Sequence, residues 1–313
     1  MITPEAVPFG QTLYLAPEGY ADVLRDSLGP DAVEIGPRLI AAPGPARFAP
    51  WAQNIWFDPV RLSIPSIKAG VRALRALQRN WALWSIACHR RAALIESQLP
   101  LVSARPLIFP EPAPTAPLGS WTLLDAETIL AASRCSSPFR HGEAAFVEDR
   151  QKPPNRAYLK LWEALTLAQR RPGPGDLCVD LGASPGGWTW VMQTLGARVI
   201  AIDKAPLAPE IAALPRIESR RESAFAIAPT DIGPVDWLCS DVICYPDRLL
   251  RMVQNWRDSR LARNMIVSIK FQGATDHNLV GAFAALPNSR LVHLSHNKHE
   301  LTWISLSEQD AGS

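Results

Sequence analysis

The stretch Asp180-Leu181-Gly182-Ala183-Ser184-Pro185-Gly186-Gly187-Trp188 follows the apolar run Leu177-Cys178-Val179 and leads into Trp188-Thr189-Trp190-Val191-Met192. The run before it reads as a strand and the run after it as a helix. A strand that feeds a glycine-rich turn into a helix N-terminus is how α/β proteins seat a nucleoside cofactor. Glycine lets the backbone approach the ligand, and the free N–H groups of the first helical turn face it. A second apolar run, Ala197 to Ile202, ends in Asp203, 21 residues beyond Gly182. A carboxylate at the tip of that strand can accept two hydrogen bonds from a ribose diol. The combination predicts a nucleoside-cofactor site.

The glycine spacing narrows the choice between a dinucleotide and S-adenosylmethionine. A dinucleotide loop has the form Gly-x-Gly-x-x-Gly, whose second glycine makes room for a pyrophosphate. Here Ser184 stands two residues after Gly182 and Pro185 follows it, so that pattern fails. The broader Ser-Pro-Gly-Gly loop suits a cofactor without phosphates.

Outward from this loop, strand and helix patterns alternate through the C-terminal half. Strands are predicted at Leu177–Leu181, Ala197–Ile202, Arg216–Ser219, Val235–Ser240, Met265–Ile269, Arg290–Leu294 and Leu301–Leu306. Helices are predicted at Arg156–Arg170, Trp188–Thr194, Asp247–Arg257 and Asp276–Ala285. Such alternation implies a mostly parallel sheet with helices on both faces. The last two strands are joined only by Ser295 to Glu300, too short for a parallel crossover, so they must pair antiparallel. A parallel sheet closed by one antiparallel hairpin fits a methyltransferase sheet better than a dehydrogenase sheet.

The chain has 313 residues, 47% hydrophobic and 20% charged, enough for two globular domains. Pro153-Pro154 precedes the first C-terminal helix, which sets an expected boundary near residue 150: an N-terminal α+β domain over 1–150 and a catalytic domain over 151–313. Pro106 to Pro117 is proline-rich and expected to be extended. No apolar run approaches the roughly 20 residues that span a bilayer, and Met1 to Gly10 lacks a secretory pattern. Five cysteines without a Cys-x-x-Cys pair argue for reduced thiols, against a disulfide framework or zinc site, and for a cytoplasmic protein. His293, His296 and His299 straddle a strand end and a turn and need not converge on a metal, and Asp125 with Glu127 reads as a charge pair at a helix N-terminus.

The net charge of +2 hides an asymmetry. Residues 61–110 carry eight Lys and Arg against one acid, whereas residues 1–60 carry three basic and seven acidic residues. The basic block is a candidate polyanion surface. Ile67 to Leu99 reads as mostly helical, with Arg72, Arg75 and Arg79 on one face followed by Trp81 and Trp84, a pattern able to bind phosphates and stack on bases.

Charged residues then mark the carboxyl edge of the sheet, where ligands bind in open α/β folds. Asp241 ends one strand and Lys270 another, Glu300 opens the last, and Lys160 lies on the helix before the first. In these residues and motifs the chain resembles the FtsJ/RrmJ-type ribose 2′-O-methyltransferases, which set a Lys-Asp-Lys-Glu tetrad around a Gly-x-x-Pro-Gly-Gly turn. Within that class it is most similar to the RlmM-type 23S ribosomal RNA cytidine 2′-O-methyltransferases. The resemblance rests on Pro154 to Lys160, Trp237 to Asp241 and His296 to Thr302, and it covers about residues 151 to 306. In that class the N-terminal part includes an RNA-binding THUMP-related module, and here that part is shorter than the resemblance implies, so a complete THUMP domain is not expected.

The resemblance implies S-adenosyl-L-methionine as cofactor, no metal, and RNA as substrate, with 23S ribosomal RNA favoured. It implies Lys160, Asp241, Lys270 and Glu300 as catalytic residues, and Gly182, Ser184, Pro185, Gly186, Gly187, Trp188, Asp203, Ser223 and Asp241 as cofactor-binding residues. An acidic cofactor contact of the class is replaced here by Ser223, preceded by Glu222, and a serine three residues before the first lysine is Ala157. Methyl transfer to a ribose hydroxyl needs a base, and an ordinary lysine is protonated at neutral pH. A second ammonium nearby and partial burial favour the neutral amine. On this reading Lys270 is the base, Lys160 promotes its neutral form and steers the hydroxyl, Asp241 orients Lys270, and Glu300 anchors Lys160. Transfer RNA or a small molecule as acceptor, and a non-catalytic RNA-binding role, remain the alternatives, and the sequence leaves the oligomeric state open.

Overall fold

The structure, a computed structural model, describes residues 6–308. The chain divides into two compact units, one comprising Met1–Pro106 with Ala113–Ala145 and the other Leu107–Pro112 with Phe146–Ser313. The proline-rich stretch is thus shared between them. Its Leu107 pairs with Phe146 through an isolated parallel bridge inside the second unit.

The first unit is built on two five-stranded sheets. One runs β1 (Ala6–Pro8), β6 (Val60–Ser63), β9 (Thr128–Ala132), β8 (Gly119–Leu123) and β7 (Trp81–Leu83). Helices α2 (Ile67–Leu77) and α3 (His89–Glu96) share its core, which includes Leu62, Leu74, Ile95 and Trp121. The other sheet runs β10 (Arg134–Cys135), β5 (Asn54–Phe57), β2 (Gln11–Leu15), β4 (Leu39–Pro43) and β3 (Val33–Gly36), with α1 (Ala21–Leu28) beside β4.

Two readings of this half are corrected. The expected helix from Ile67 to Leu99 is two helices with a strand between them, and Trp81 lies on that strand. The helix stops because Gln78 turns extended, and the buried Trp81 indole N–H donates to the end carbonyls Leu74 O (3.0 Å) and Gln78 O (3.1 Å). Arg79 therefore lies beyond the helix, and no single helical face carries all three arginines with the tryptophans. Asp125 and Glu127 occupy the β8–β9 turn, where the Glu127 N–H donates to Asp125 Oδ1 (2.8 Å) and holds the Asp125 carboxyl below the usual range.

The second unit holds one seven-stranded sheet in the order β13-β12-β11-β14-β15-β17-β16. Its strands are β11 (Leu177–Leu181), β12 (Arg198–Ile202), β13 (Ile217–Arg220), β14 (Val235–Ser240), β15 (Ala262–Lys270), β16 (Ser289–Val292) and β17 (Glu300–Ser305). The first five are parallel, and β17 inserts antiparallel between β15 and β16. Near-continuous burial along β14 and β15 is the mark of strands covered on both faces.

Helices α4 (Tyr158–Ala168) and α5 (Gly187–Thr194) pack on each other, and α8 (Pro246–Ser259) packs on α9 (His277–Ala284) and on β15. Short α6 (Pro209–Ala212) lies by β13 and α7 (Pro229–Ile232) by α8. Helix α4 is buried from Tyr158 through Thr166, as expected for an element apolar nearly all round. No helix among the described residues is long and apolar enough to cross a membrane.

Strand β17 is fixed by Trp303, which is fully buried and donates from Nε1 to Ser289 Oγ (3.0 Å) and Phe283 O (3.2 Å). Trp303→Ala should cost about 3–5 kcal/mol through the cavity and lost bonds, read as a lower denaturant midpoint for this unit.

Candidate active site

The glycine turn is shaped by contacts that no side chain could share. Gly182 has φ +78°, and a Cβ there would meet Val242 at 2.7 Å. Gly186, the N-cap of α5, has φ +116°, and its Cβ would meet Ile211 at 2.7 Å. At Gly187 a Cβ would collide with the Asn155 side chain. The backbone thus leaves β11 and enters α5 along a path only glycine permits.

That path borders a cavity of about 430 Å³ lined by Asn155, Asp180, Gly182, Ser184, Asp241 and Lys270, with Ala157, Ala183, Gly187, Trp188, Asp203, Val242 and Ile243. A second cavity of about 220 Å³ shares Gly182, Asp203, Val242 and Ile243 with it and adds Lys204, Ser223, Ala224, Phe225 and Arg248. The two form one elongated groove over the carboxyl ends of β11, β12 and β14. A larger cavity of about 1240 Å³ in the same unit holds none of the four charged residues singled out from the sequence.

Of the expected cofactor residues, Gly182, Ser184, Gly187, Trp188, Asp203 and Asp241 line the first cavity and Ser223 lines the second. Pro185 and Gly186 line neither. Their part is in the turn, where Pro185 O accepts the Ala208 N–H (2.9 Å). Asp203 accepts the Ser184 N–H at Oδ2 (3.0 Å) and the Ala205 N–H at Oδ1 (2.9 Å). One acceptor site on each oxygen remains for a diol. Trp188 is buried and donates from Nε1 to Ala157 O (2.9 Å), tying α5 to the start of α4.

Lys160, Asp241, Lys270 and Glu300 come together at the same sheet edge. The register sets Lys270 opposite Glu300 on β15 and β17, and Ser240 opposite Leu181, so Asp241 emerges beside Gly182. Lys160 Nζ donates to Asp241 Oδ1 (2.6 Å), Asp241 Oδ2 (2.8 Å) and Glu300 Oε1 (3.1 Å). Lys270 Nζ donates to Asp241 O (2.6 Å) and lies 3.1 Å from Asp241 Oδ1. The side chains of Lys160 and Glu300 are each 9% exposed, that of Asp241 15% and that of Lys270 19%. Three acceptors match the three protons of the Lys160 ammonium, whereas Lys270 has a position left over and borders the cavity.

Sequence reasoning missed Asp180, Asn155, Phe225 and Arg248 as site residues. Asp180 is 1% exposed, accepts from Thr189 Oγ1 at Oδ2 (2.6 Å) and, among the described residues, has no partner at Oδ1. Burial pushes its carboxyl up to about 7, Asp241 and Asp203 adding to the rise. Asp180 did stand in the quoted motif, but nothing in a sequence marks which strand-end acid is buried. Arg248 lies over the Phe225 ring at 3.9 Å, a flat pair at the far end of the groove. Among the described residues no group of three or more His, Cys, Asp or Glu could hold a metal ion.

The profile of the FtsJ-like methyltransferases matches residues 153–283, so this stretch is similar to an FtsJ-like methyltransferase domain. The chain is 43% identical over 120 residues to the ribosomal RNA large subunit methyltransferase M of Halorhodospira halophila, covering 37% of this chain and 35% of that one. It is 35% identical over 165 residues to the protein of that name from Alkalilimnicola ehrlichii, covering 49% and 45%. With the one from Marinobacter nauticus it shares 32% identity over 200 residues, covering 58% and 55%. The chain thus spans from about a third to about half the length of these relatives.

S-adenosylmethionine is the cofactor of such a domain, and the groove fits it. The glycine turn admits close backbone approach, the unpartnered Asp180 Oδ1 awaits a donor such as an α-ammonium, Asp203 offers acceptors to a ribose, and Phe225 with Arg248 flanks the remaining end. When bound, the group supplies a sulfonium methyl.

Asp180 yields a stability prediction. Its ordinary value is 3.8 and its folded value about 7, so the folded chain keeps a proton that the unfolded chain has released between those limits. Stability therefore falls as pH rises through this window. Asp180→Asn should flatten the fall in urea unfolding series, partially, because Glu163, pushed to about 8 by burial, slopes the same way.

Proposed function

We propose that this chain transfers a methyl group from S-adenosylmethionine to a ribose 2′-hydroxyl of RNA, a cytidine of 23S ribosomal RNA, in the cytoplasm. The observation that carries the reading is the pair of lysines on one carboxylate, Asp241, at the mouth of the glycine-turn cavity. The names of the relatives, large-subunit ribosomal RNA methyltransferases, supply the substrate class.

The two lysines divide the work by their surroundings. Lys160 has its three protons committed and stays an ammonium that fixes Asp241 and Glu300. This differs from the steering of the hydroxyl expected of it from sequence, for which no proton is left. Lys270 borders the cavity, where it would take the 2′-hydroxyl proton as the bound cofactor would supply the methyl group and be left as its thioether. Asp241, held from the other side by Lys160, fixes the direction of the Lys270 side chain. Much of the acceleration comes from positioning, since the donor methyl is already activated. In the other unit, Lys68, Arg72, Arg75, Arg79 and Arg90 are exposed and offer a surface to RNA phosphates.

The test is tritiated methyl transfer to unmodified ribosomal RNA, with Lys270→Ala beside the wild type. Alkali-resistant label at one ribose, reduced at least about 100-fold in the variant with cofactor binding intact, is expected. Full turnover by Lys270→Ala would remove the base assignment, and transfer to transfer RNA alone would change the substrate.

A further inference from the structure

Glu163 lies on α4 one turn beyond Lys160 and is 2% exposed. Its hydrogen bonds do not follow those of Lys160. Its carboxylate instead accepts the backbone N–H of Ser295 at Oε1 (3.0 Å) and Oε2 (2.9 Å), and the Ser295 Oγ–H at Oε1 (3.1 Å). Ser295 belongs to the segment between β16 and β17, which ends at Glu300.

The rest of that segment is fastened to itself and to its surroundings. Asn297 Nδ2 donates to Glu300 O (3.2 Å) and Thr302 Oγ1 (3.2 Å), His293 Nε2 bonds Lys298 O (3.0 Å), and the Phe271 N–H donates to His299 O (3.1 Å). A displacement at Ser295 is therefore carried to Glu300. One helix thus holds the β16–β17 connection twice, by Glu163 at its start and by Lys160 at its end. Burying an acid that a glutamine or an apolar residue could replace costs free energy, and here the acid is spent on the loop N–H groups of Ser295 and His296 and on one hydroxyl.

We propose that Glu163 is a positioning residue for methyl transfer, setting the place of Glu300, and through Glu300 that of the Lys160 ammonium, by its clamp on Ser295. This rests on the reading of the four charges as the reaction centre. Glu163 touches neither cofactor nor acceptor in this scheme, so its removal acts on kcat and leaves cofactor affinity and the KM for RNA in place. An error of the order of an ångström in such a centre is worth up to about 100-fold in rate.

The test is a double-mutant cycle on kcat with Glu163→Ala, Glu300→Ala and the pair, each variant checked for folding and cofactor affinity. Each single change is expected to lower kcat about 10- to 100-fold, and the pair is expected to lose no more than Glu300→Ala alone, because the clamp acts only through Glu300. Glu163→Gln, which keeps one acceptor for the Ser295 N–H, should recover part of the loss, and it replaces Glu163→Ala in the cycle should that variant fail to fold. Losses that multiply in the pair, or a KM that rises with kcat unchanged, would overturn the proposal. Full turnover by Glu163→Ala beside an impaired Glu300→Ala would overturn the clamp alone, whereas full turnover by Glu300→Ala would overturn the reading of the four charges and the clamp with it.

Discussion

Lys160 is an ammonium held under the surface of an otherwise apolar helix, and a charge in that position must be answered by fixed partners. Its answer is Asp241 at the tip of β14 and Glu300 at the start of β17, so one side chain joins α4 to two separate strands. Lys270 then reaches the same Asp241 carboxylate from β15. Two lysines and two carboxylates close on each other with little exposure, and removing Lys160 leaves the buried Glu300 carboxylate without its cation, at a cost of about 3–5 kcal/mol. The same ties hold the cavity wall in place, so fold and proposed site share one set of bonds.

The C-terminal unit was legible because each of its elements carries a strong local signal. β11 and β14 lie where their apolar runs are, bounded by glycine or charge, and the short link between the last two strands dictated their antiparallel pairing. The four charged residues could be picked out since strand ends in a parallel sheet converge on one edge. The first unit gave weaker signals. Its strands are two to five residues long and several, such as β7, have no alternation to read. The segment around Trp81 misled because its tryptophans continue a helical spacing, while the actual end of the helix is made by a long-range bond from the indole N–H.

Burial of acids escaped the sequence for a different reason. Asp180 and Glu163 look like any strand-end or helix acid, and only the packed structure shows one beside the cofactor groove and the other against the β16–β17 connection. A hint existed for Glu163: it interrupts a helix whose other residues, Lys160 apart, are apolar or small over two turns. An acid in such surroundings must find donors, although the sequence does not name them.

The insertion of β17 between β15 and β16 bears on how the molecule comes into being. β15 has nine residues, and until β17 arrives one whole side of its backbone is unpaired. An open apolar edge of that length is a template for wrong partners. Lys160 and Glu300 are 140 residues apart in the chain, and Lys160 and Asp241 are 81 apart. Such distant contacts form late, since loop closure precedes any return from them. The ionic closure of the charged cluster therefore belongs to the same pairing that seals the vulnerable edge, since Glu300 stands opposite Lys270 in the β15–β17 register.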